Sequence, residues 1–309
     1  WSDKWDGTDY GMDYNPNRNF FEQLRELALK TPYTSLITDY STLVNSEYTN
    51  HVGTLKNCYL VFNADYCENA AYAAVADYAK DSLDANMLVE SELCYEVITC
   101  GKCFRVFFSE DCRDCTDIYF SKDLMGCSYC FGCVGLRNKK YYWFNEPLSK
   151  DEFKRRLEKA DVGLRRKLTD ILDKTRAHWL KYPRKFYHGI HNSNVSGDYV
   201  YESKNAHNMY QVRYVEDGKY CQFMTLAPAK DIYDLSEWGN GVELVCDSIT
   251  VGENSRNVKY CFAVWSGALD AEYSMYAPQC KNIFGCVNLK RKQYCILNKQ
   301  YTKEEYEKL

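Results

Sequence analysis

Apolar residues at helical spacing mark two amphipathic helices in this chain. Leu24 and Leu27 lie three residues apart in an early segment, and Leu168 and Ile171 do the same near the middle. This spacing places apolar side chains on one helical face, and a proline after each segment prevents its continuation. The predicted helices lie near 19–31 and near 164–181.

Each half of the chain also ends in a predicted short helix. Ser149 with Glu152, and Thr302 with Glu305, have the spacing of a capping box. In that motif the hydroxyl accepts a hydrogen bond from a free backbone N–H while the Glu side chain reaches back to the cap residue. Closing helices are therefore predicted from 149 and from 302.

Between the helices, short segments rich in Tyr, Val, Phe and Cys alternate with Asn, Asp and Gly. The predicted strands include 59–62, 104–108, 141–144 and 260–265. Cysteines recur near strand starts and indicate a step of about 20 residues, which favours a parallel β-solenoid whose turns bury small side chains. The same short strands also fit an antiparallel sandwich, so both architectures stay open.

The two halves of the chain resemble each other. Residues 131–141 match residues 284–294 at an offset of 153, and the match continues from 149–153 to 302–306. Steady offsets over most of a chain indicate an internal duplication. The sequence therefore predicts a mainly β protein with helices (α+β), built as two tandem copies of a helix–β-solenoid-like–helix unit. The predicted repeat units are 1–151 and 152–309.

Composition narrows the class of protein. The chain has 309 residues, of which 46% are hydrophobic and 27% charged, as in a globular protein. It contains no run of about 18 apolar residues, so no membrane-spanning helix is predicted. The 16 cysteines in a chain of this size indicate reduced thiols and a cytoplasmic location rather than a disulfide scaffold.

Four cysteines form two closely spaced C-x-x-C pairs, Cys100 with Cys103 and Cys112 with Cys115. Tetrahedral thiolate sites for zinc are built from such pairs, so these four are candidate zinc ligands. Val251 and Asn254 occupy the positions that match the first pair in the second half, which shows that the unit can be built without these cysteines. Two other interpretations stay open, namely buried thiols that only pack and redox chemistry.

Basic residues adjoin aromatic residues at two matching turns, and more cations lie in the helix between the halves. Lys and Arg can neutralise phosphates while aromatic faces stack on bases. Residues 150–187 carry thirteen Lys and Arg against six Asp and Glu, although the whole chain has a net charge of −4. The candidate nucleic-acid-binding residues are Arg137, Lys139, Lys140, Tyr141, Lys290, Arg291, Lys292, Tyr294, Arg165, Arg166 and Lys167.

The leading hypothesis is a non-enzymatic binding or scaffold protein that contacts nucleic acid or a ribonucleoprotein through these residues. No phosphate-binding glycine loop, dinucleotide fingerprint, zinc-protease motif or nucleophile elbow is present, so the sequence nominates no catalytic residue. The alternative is a glycan-binding protein or a glycan-active enzyme that uses Asp and Tyr or Trp surfaces. An exposed groove with two carboxylates flanked by aromatic faces would favour this alternative.

The opening run Trp1-Ser-Asp-Lys-Trp-Asp6, with Phe131-Gly-Cys133 and Cys295-Ile-Leu-Asn-Lys299, resembles an uncharacterised protein family of candidate-phyla bacteria. Its members combine an N-terminal zinc ribbon with a repeat-containing body like this one. The resemblance implies a zinc ribbon ahead of Trp1, zinc as a cofactor of that ribbon, and an intracellular bacterial location. It also adds weight to nucleic acid as a partner, because zinc ribbons often bind nucleic acids.

Overall fold

A computed structural model describes residues 5–89, 92–224 and 228–309. Trp1 and the next three residues of the family-like opening run lie outside the described residues. The chain forms two compact bodies. The first body is Thr34–Arg184, and the second body combines the chain up to Tyr33 with Lys185–Leu309. These bounds differ from those of the predicted repeat units because the early helix packs in the second body.

Four α-helices are present among the described residues, and their caps follow from the sequence. They are α1 (Phe20–Lys30), α2 (Lys150–Ala160), α3 (Arg165–Trp179) and α4 (Lys303–Lys308), with 3₁₀ turns at Gly7–Tyr10 and Tyr40–Thr42. Thr302 and Glu305 form the complete capping box of α4. Ser149 accepts from the Glu152 N–H, but the Glu152 side chain binds Arg155 and Arg156 instead of reaching back.

The strands of the first body form one sheet in which residue i pairs with residue i+12. They are β1 (Asn50–Gly53), β2 (Tyr59–Asp65), β3 (Ala71–Ala74), β4 (Leu83–Val89), β5 (Glu92–Gly101), β6 (Phe104–Arg113), β7 (Thr116–Tyr119), β8 (Lys122–Met125), β9 (Ser128–Phe131), β10 (Lys140–Trp143) and β11 (Glu146–Pro147). The pairing is parallel throughout, except where β10 and β11 form a closing hairpin.

The second body has the same kind of sheet with a less regular step. Its strands are β12 (Gly189–Ile190), β13 (Ser193–Tyr201), β14 (Lys204–Arg213), β15 (Val215–Lys219), β16 (Gln222–Met224), β17 (Ala229–Gly239), β18 (Val242–Gly252), β19 (Arg256–Lys259), β20 (Phe262–Val264), β21 (Leu269–Glu272), β22 (Lys281–Phe284), β23 (Gln293–Ile296) and β24 (Lys299–Gln300). Gly218 pairs with Ile232, at i+14, whereas Val245 pairs with Val258, at i+13. Among the strands described, only β23 and β24 pair in the antiparallel direction in this sheet.

A three-residue conformational period explains the regular i+12 register of the first body. From Asn45 to Phe144, every third described residue has a positive φ. Val106, Phe107 and Phe108 show the pattern, because Val106 points inward and is fully buried, Phe107 points outward in the strand, and Phe108 turns the chain with φ of 51°. Register partners on neighbouring strands are twelve residues apart, a stretch that contains four such corners and that we call a circuit.

Backbone hydrogen bonds are satisfied between successive circuits. At a corner such as Phe120, the N–H donates to the carbonyl oxygen of Phe107, on the preceding circuit, at 2.9 Å. At an outward position such as Phe104, the N–H donates to Cys115 at 3.1 Å. Because a left-handed conformation costs a non-glycine residue about 1–2 kcal/mol, this continuous ladder is what holds so many corners in place.

The predicted fold class is confirmed at the level of a mainly β protein with helices. The predicted step of about 20 residues is wrong, because register partners on neighbouring strands are twelve residues apart in the first body and eleven to fourteen apart in the second. The antiparallel alternative fails as well, since the strand pairs described are parallel except for one closing hairpin in each sheet. Of the helices that the structure describes, none is long and apolar enough for a membrane crossing.

Helices cover one apolar side of each body. In the first body, Phe153 of α2 and Leu168 of α3 pack on outward aromatics such as Phe131. In the second body, Phe20 of α1 lies 4.6 Å from Phe284, ring centroid to ring centroid, and Leu27 is fully buried beside it. The apolar faces predicted for α1 and α3 therefore each pack on a hydrophobic surface of the same body.

Candidate functional site

The covering helices leave the earlier strands of each body bare. Phe131 in β9 is 1% exposed under α2, whereas Tyr59 in β2 of the same body is 42% exposed. In the second body, Phe284 in β22 packs on α1, whereas Tyr233 in β17 is 44% exposed. Each body therefore presents uncovered aromatic side chains on its earlier strands.

A shallow, open groove lies on these earlier strands in the second body. Its floor is formed by Gly218 and Ile232, which are paired on β15 and β17. Gly218 faces inward, where a Cβ would lie 2.7 Å from the Met209 methyl carbon, so a larger residue at this position would require the Met209 side chain to move. The groove has two rims that run across neighbouring strands.

The acidic rim consists of Asn205, Asp217 and Asp231, each at a corner with positive φ. Asn and Asp tolerate this conformation better than most residues. The Asn205 amide donates to Asp217 Oδ1 at 2.8 Å, and Asn194 donates to Asn205 Oδ1 at 2.9 Å. Hydrogen bonds from one circuit to the next therefore align Asn194, Asn205 and Asp217, and the Asp231 carboxylate continues this row on the following strand.

The aromatic rim consists of His207, Lys219 and Tyr233, which share one register on β14, β15 and β17. Tyr220 stands beside it, with its ring centroid 5.4 Å from that of Tyr233 in an edge-to-face arrangement. Lys219 Nζ lies 4.7 Å from the Tyr220 ring centroid, a cation–π contact. This rim offers exposed ring faces together with hydrogen-bond donors.

The groove can therefore engage a ligand that combines apolar ring faces with many hydroxyl groups. Carboxylates accept hydrogen bonds only, Lys donates only, and Asn does both. Backbone positions across neighbouring strands are about 4.8 Å apart, which is close to the length of one sugar unit in an extended glycan. Two exposed carboxylates, Asp217 and Asp231, lie on one rim, and the partly exposed Tyr233 ring lies on the other.

An alternating row of charges adjoins the acidic rim. Lys204, Glu216, Lys230, Glu243 and Arg256 are register partners on successive strands. Lys204 lies 3.7 Å from Glu216, and Arg256 lies 3.5 Å from Glu243. The first body has the same feature at Lys56, Glu68, Lys80 and Glu92. These rows carry little net charge, so they do not favour a polyanion.

The structure brings the four predicted zinc ligands together inside the first body. Cys100, Cys103, Cys112 and Cys115 occupy neighbouring inward positions on two successive circuits, and all are buried. Hydrogen bonding with Cys100 and burial raise the pKa of the Cys103 thiol. Zinc requires the thiolate form. Across the described part of the chain, no group of three or more Cys, His, Asp or Glu side chains is placed to hold a metal ion.

The C-x-x-C spacing has a structural cause in this fold. Inward positions recur every third residue, so two cysteines at this spacing are simply consecutive inward residues. The thiol of an inward cysteine donates to the carbonyl two residues earlier, as Cys103 does to Gly101 at 3.3 Å and Cys115 to Arg113 at 3.1 Å. Inward serines do the same, for example Ser121 to Tyr119 at 2.8 Å.

In the first body, the predicted basic turn is partly occupied by internal contacts. Arg137 binds the Asp123 carboxylate at 2.8 Å. Lys140 lies over the Tyr141 ring at 5.2 Å, and Tyr141 itself stacks on Tyr129 at 5.0 Å. Lys139 is exposed. The turn therefore presents two lysines, while its arginine is paired.

In the second body, the matching turn is also engaged. Lys292 binds the Asp6 carboxylate at 2.6 Å, and Arg291 donates to the Gln279 side chain at 2.8 Å. Tyr294 packs edge-to-face on Tyr306 of α4 at 5.8 Å, and Lys290 is exposed. Of the three cations in this turn, Lys290 makes none of these contacts and presents its charge to solvent.

The remaining predicted cations lie in the first turn of α3. Arg165, Arg166 and Lys167 are exposed, and Lys167 binds Asp161 at 2.9 Å. No side chain caps this helix start. A cluster of cations at a helix N-terminus is locally positive, because the helix dipole places partial positive charge at the same end.

Sequence reasoning missed the groove residues. None of Asn205, His207, Asp217, Lys219, Asp231 and Tyr233 was a candidate, because they come from separate strands and form no local motif. The available signal was the even spacing at which Lys56, Glu68, Lys80 and Glu92 recur in the sequence. That period of twelve aligns His207 with Lys219, but it does not align Lys219 with Tyr233, which lies fourteen residues further on.

Comparison with protein-family models and with curated proteins gives no match. Among solved structures, one similar chain is a candidate acetyltransferase from Desulfovibrio desulfuricans G20. The match covers 94% of this chain and 77% of the other, at 7% identity and a TM-score of 0.17. A TM-score of this size shows no shared fold, so nothing about activity follows from it.

Proposed function

We propose that this chain is a non-enzymatic binding protein whose ligand is an extended, uncharged glycan lying in the groove of the second body. The observation that carries the proposal is the pairing of two rims across one floor. Asp217 and Asp231 supply hydrogen-bond acceptors for sugar hydroxyls, and Tyr233 supplies an exposed ring face for the apolar face of a sugar. Aromatic residues with a few well-placed polar groups are typical of ligand sites.

Nucleic acid, the partner that the sequence favours, has less geometric support than a glycan. Arg137 and Lys292 are held by Asp123 and Asp6. Binding to phosphates would have to displace these carboxylates, while the free cations are scattered over several turns. Nucleic acid therefore stays a prediction, and its binding is one outcome of the experiment that tests the glycan proposal. The cytoplasmic location also stays a prediction.

We also propose that the two sheets are β-solenoids produced by duplication of one unit. Support comes from matched positions with matched roles. Gly132 and Gly285 both adopt positive φ, and Asn145 and Asn298 each bond the backbone of a residue eleven positions earlier. An experimental structure would contradict the proposal if residues 94–145 and 246–298 did not superimpose.

For the cysteines, we propose packing rather than zinc binding. The interior accepts Cys and Ser at equivalent inward positions, and both donate to the carbonyl two residues earlier. Metal analysis of the purified protein measures this directly, because one tightly bound zinc per chain would contradict the proposal.

The glycan proposal is tested by calorimetric titration with cellohexaose, maltohexaose and mannohexaose. Replacing Tyr233 by Ala removes the ring face and is expected to weaken binding about tenfold, which corresponds to about 1.4 kcal/mol. Tyr214→Ala is the matched control, because Tyr214 is 45% exposed in the same body but lies outside the groove. Its affinity should equal that of the wild type.

Three results would overturn the proposal. The first is no binding of any of the three oligosaccharides. The second is equal binding by Tyr233→Ala and the wild type. The third is tight, salt-dependent binding of single-stranded RNA that charge reversal at Lys139 and Lys290 abolishes, since this result would return the function to nucleic acid. Release of reducing ends would show catalysis and contradict the non-enzymatic part.

A further inference from the structure

We propose that the first body carries a second, separate site for an uncharged glycan, which we call the amide–tyrosine strip. It is defined by Asn45, Asn57, Asn69, Tyr48, Tyr59 and Tyr72. The proposal rests on the function proposed above, because it assigns the same ligand class to different residues. It adds a binding stoichiometry of two per chain.

The amide side of the strip is an unbroken hydrogen-bonded row. Asn45 donates to Asn57 Oδ1 at 3.0 Å, Asn57 donates to Asn69 Oδ1 at 3.0 Å, and Asn69 donates to Asp81 Oδ1 at 2.8 Å. All four side chains are exposed and stand at corners with positive φ. Since each amide has two N–H groups and two lone pairs, each linked asparagine keeps a donor and an acceptor for a ligand.

The tyrosine side of the strip is a row of rings packed edge to face. Tyr48 and Tyr59 have ring centroids 5.5 Å apart at 75°, and Tyr59 and Tyr72 are 5.8 Å apart at 80°. Tyr48 is 68% exposed and Tyr72 is 53% exposed. Alternating orientations present both ring faces and ring edges to a ligand, and edge-to-face pairing holds the rings in position.

The strip resembles the groove in layout but differs in charge. In both, a row of polar corner residues runs beside aromatic side chains on the earlier strands; the row holds three asparagines in the strip and one asparagine with two aspartates in the groove. The groove carries His207 and Lys219, whereas in the strip the corresponding outward positions hold Tyr59, Ala71 and Leu83.

The charges near the strip disfavour an anionic ligand. Lys56 and Lys80, on the neighbouring side of the body, bind Glu68 and Glu92 at 2.6 and 3.2 Å. Carboxylates also stand at both ends of the strip, at Glu47 and Asp81. A phosphate polymer would meet paired cations and these carboxylates, so an uncharged polyhydroxyl chain is the ligand that this chemistry fits.

The test compares two tyrosines that have similar exposure and backbone conformation but lie on different parts of the surface. Tyr72 and Tyr78 belong to the same body, both have positive φ, and they are 53% and 51% exposed. Tyr78 stacks on Tyr66 at another corner, outside the strip. Calorimetric stoichiometry with cellohexaose, maltohexaose and mannohexaose is measured for the wild type, Tyr72→Ala, Tyr78→Ala, Tyr233→Ala and the double variant Tyr72→Ala/Tyr233→Ala.

The expected result is two sites of wild-type affinity in the wild type and in Tyr78→Ala. Each of Tyr72→Ala and Tyr233→Ala should keep one such site beside a site about tenfold weaker, and the double variant should keep none of wild-type affinity. A single site that Tyr233→Ala weakens and Tyr72→Ala leaves unchanged would overturn the strip while the function proposed for the groove stands. No binding by the wild type would overturn both. Equal loss in Tyr72→Ala and Tyr78→Ala would also overturn the strip, since it would show a general effect of removing a surface ring.

A second measurement does not depend on the variants folding. Tetranitromethane nitrates exposed tyrosines, and mass spectrometry of the wild-type protein locates the modified rings. Bound oligosaccharide should protect Tyr59 and Tyr72 at least several-fold and leave Tyr78 as reactive as before. Equal reactivity of Tyr72 with and without the oligosaccharide would contradict the strip, as would protection of all three rings alike.

Discussion

The Ser109 hydroxyl oxygen accepts a hydrogen bond from the Ser121 backbone N–H at 3.0 Å, across one full circuit of the first body. The same hydroxyl donates to the Phe107 carbonyl oxygen at 2.8 Å. Ser121 repeats the arrangement with the Cys133 N–H, and Cys127 Sγ accepts from the Lys139 N–H at 3.4 Å. A small inward side chain with a donor and an acceptor therefore joins two circuits and satisfies two backbone groups.

This arrangement predicts that Cys112→Ser is tolerated. The Cys112 thiol donates to the Glu110 carbonyl at 3.4 Å, and a serine hydroxyl can make the same bond. The free energy of unfolding should fall by no more than about 1.5 kcal/mol, the scale of one net hydrogen bond, as measured by urea denaturation. A structural zinc site would give a different result, because loss of a ligand would remove most of a binding energy of about 10 kcal/mol or more.

Val75→Asn is expected to stabilise the first body. Val75 is a β-branched residue at a corner with φ of 53°, where the left-handed conformation costs about 1–2 kcal/mol. Asn tolerates this conformation better and keeps the backbone bond from the residue 75 N–H to Phe62 O at 3.0 Å. Thermal unfolding should shift upward by a few degrees, whereas Val61→Asn, at a fully buried inward position, should shift it strongly downward. An unchanged or lower midpoint for Val75→Asn would contradict the corner assignment.

Asn298→Asp is expected to destabilise the second body more than Asn145→Asp destabilises the first. The Asn298 amide donates to Val287 O at 2.7 Å and to Gly7 O at 2.9 Å, and the side chain is fully buried. Asn145 makes the equivalent of the first bond, to Val134 O at 2.9 Å. Aspartate retains the acceptor but loses the donors, so the cost for residue 298 should be about 3 kcal/mol. Equal urea midpoints for the two variants would contradict this ranking.

The Asp6–Lys292 pair predicts acid sensitivity of the second body. Burial acts to raise the pKa of Asp6, but hydrogen bonds from Lys292 and Thr8 outweigh it and lower the pKa to about 2. Because the folded pKa lies below the unfolded value of about 3.9, the contribution is complete above about pH 4 and is lost as pH falls towards 2. Urea unfolding from pH 5 to pH 2 should therefore show a shallower loss for Asp6→Asn. Parallel curves for the variant and the wild type would rule out this linkage.

The helices could be predicted from the sequence because they obey familiar periods. Leu24 and Leu27 lie on the covered side of α1, and Thr302 forms the box that its spacing indicates. The strand geometry could not be predicted as easily. Bulky residues such as Phe108 and Val75 stand at left-handed corners that their own conformational preferences disfavour, so the local sequence contradicts the conformation that the stacked circuits impose.

The cysteines show how a spacing can have two causes. The spacing of Cys100 and Cys103 fits a zinc-binding C-x-x-C pair and also fits two consecutive inward positions, which recur every third residue. The local sequence does not show which of these two causes produces the spacing. The groove was even harder to predict from the sequence. Asp217 and Tyr233 come from neighbouring circuits whose register is i+14, longer than the i+12 register of the first body, so their alignment follows only from the strand pairing.

The alternating charges at Lys56, Glu68, Lys80 and Glu92 have a consequence for how such a chain can lengthen or shorten. The backbone ladder is the same at every level and would accept the removal of any one circuit. Removing the circuit that contains Glu68, however, would set Lys56 beside Lys80, and removing the one that contains Lys80 would set two glutamates together. Each ion pair contributes little to stability. However, losing or gaining an odd number of circuits would place like charges side by side, whereas an even number would keep opposite charges paired. Insertions and deletions that survive in this region should therefore occur two circuits at a time.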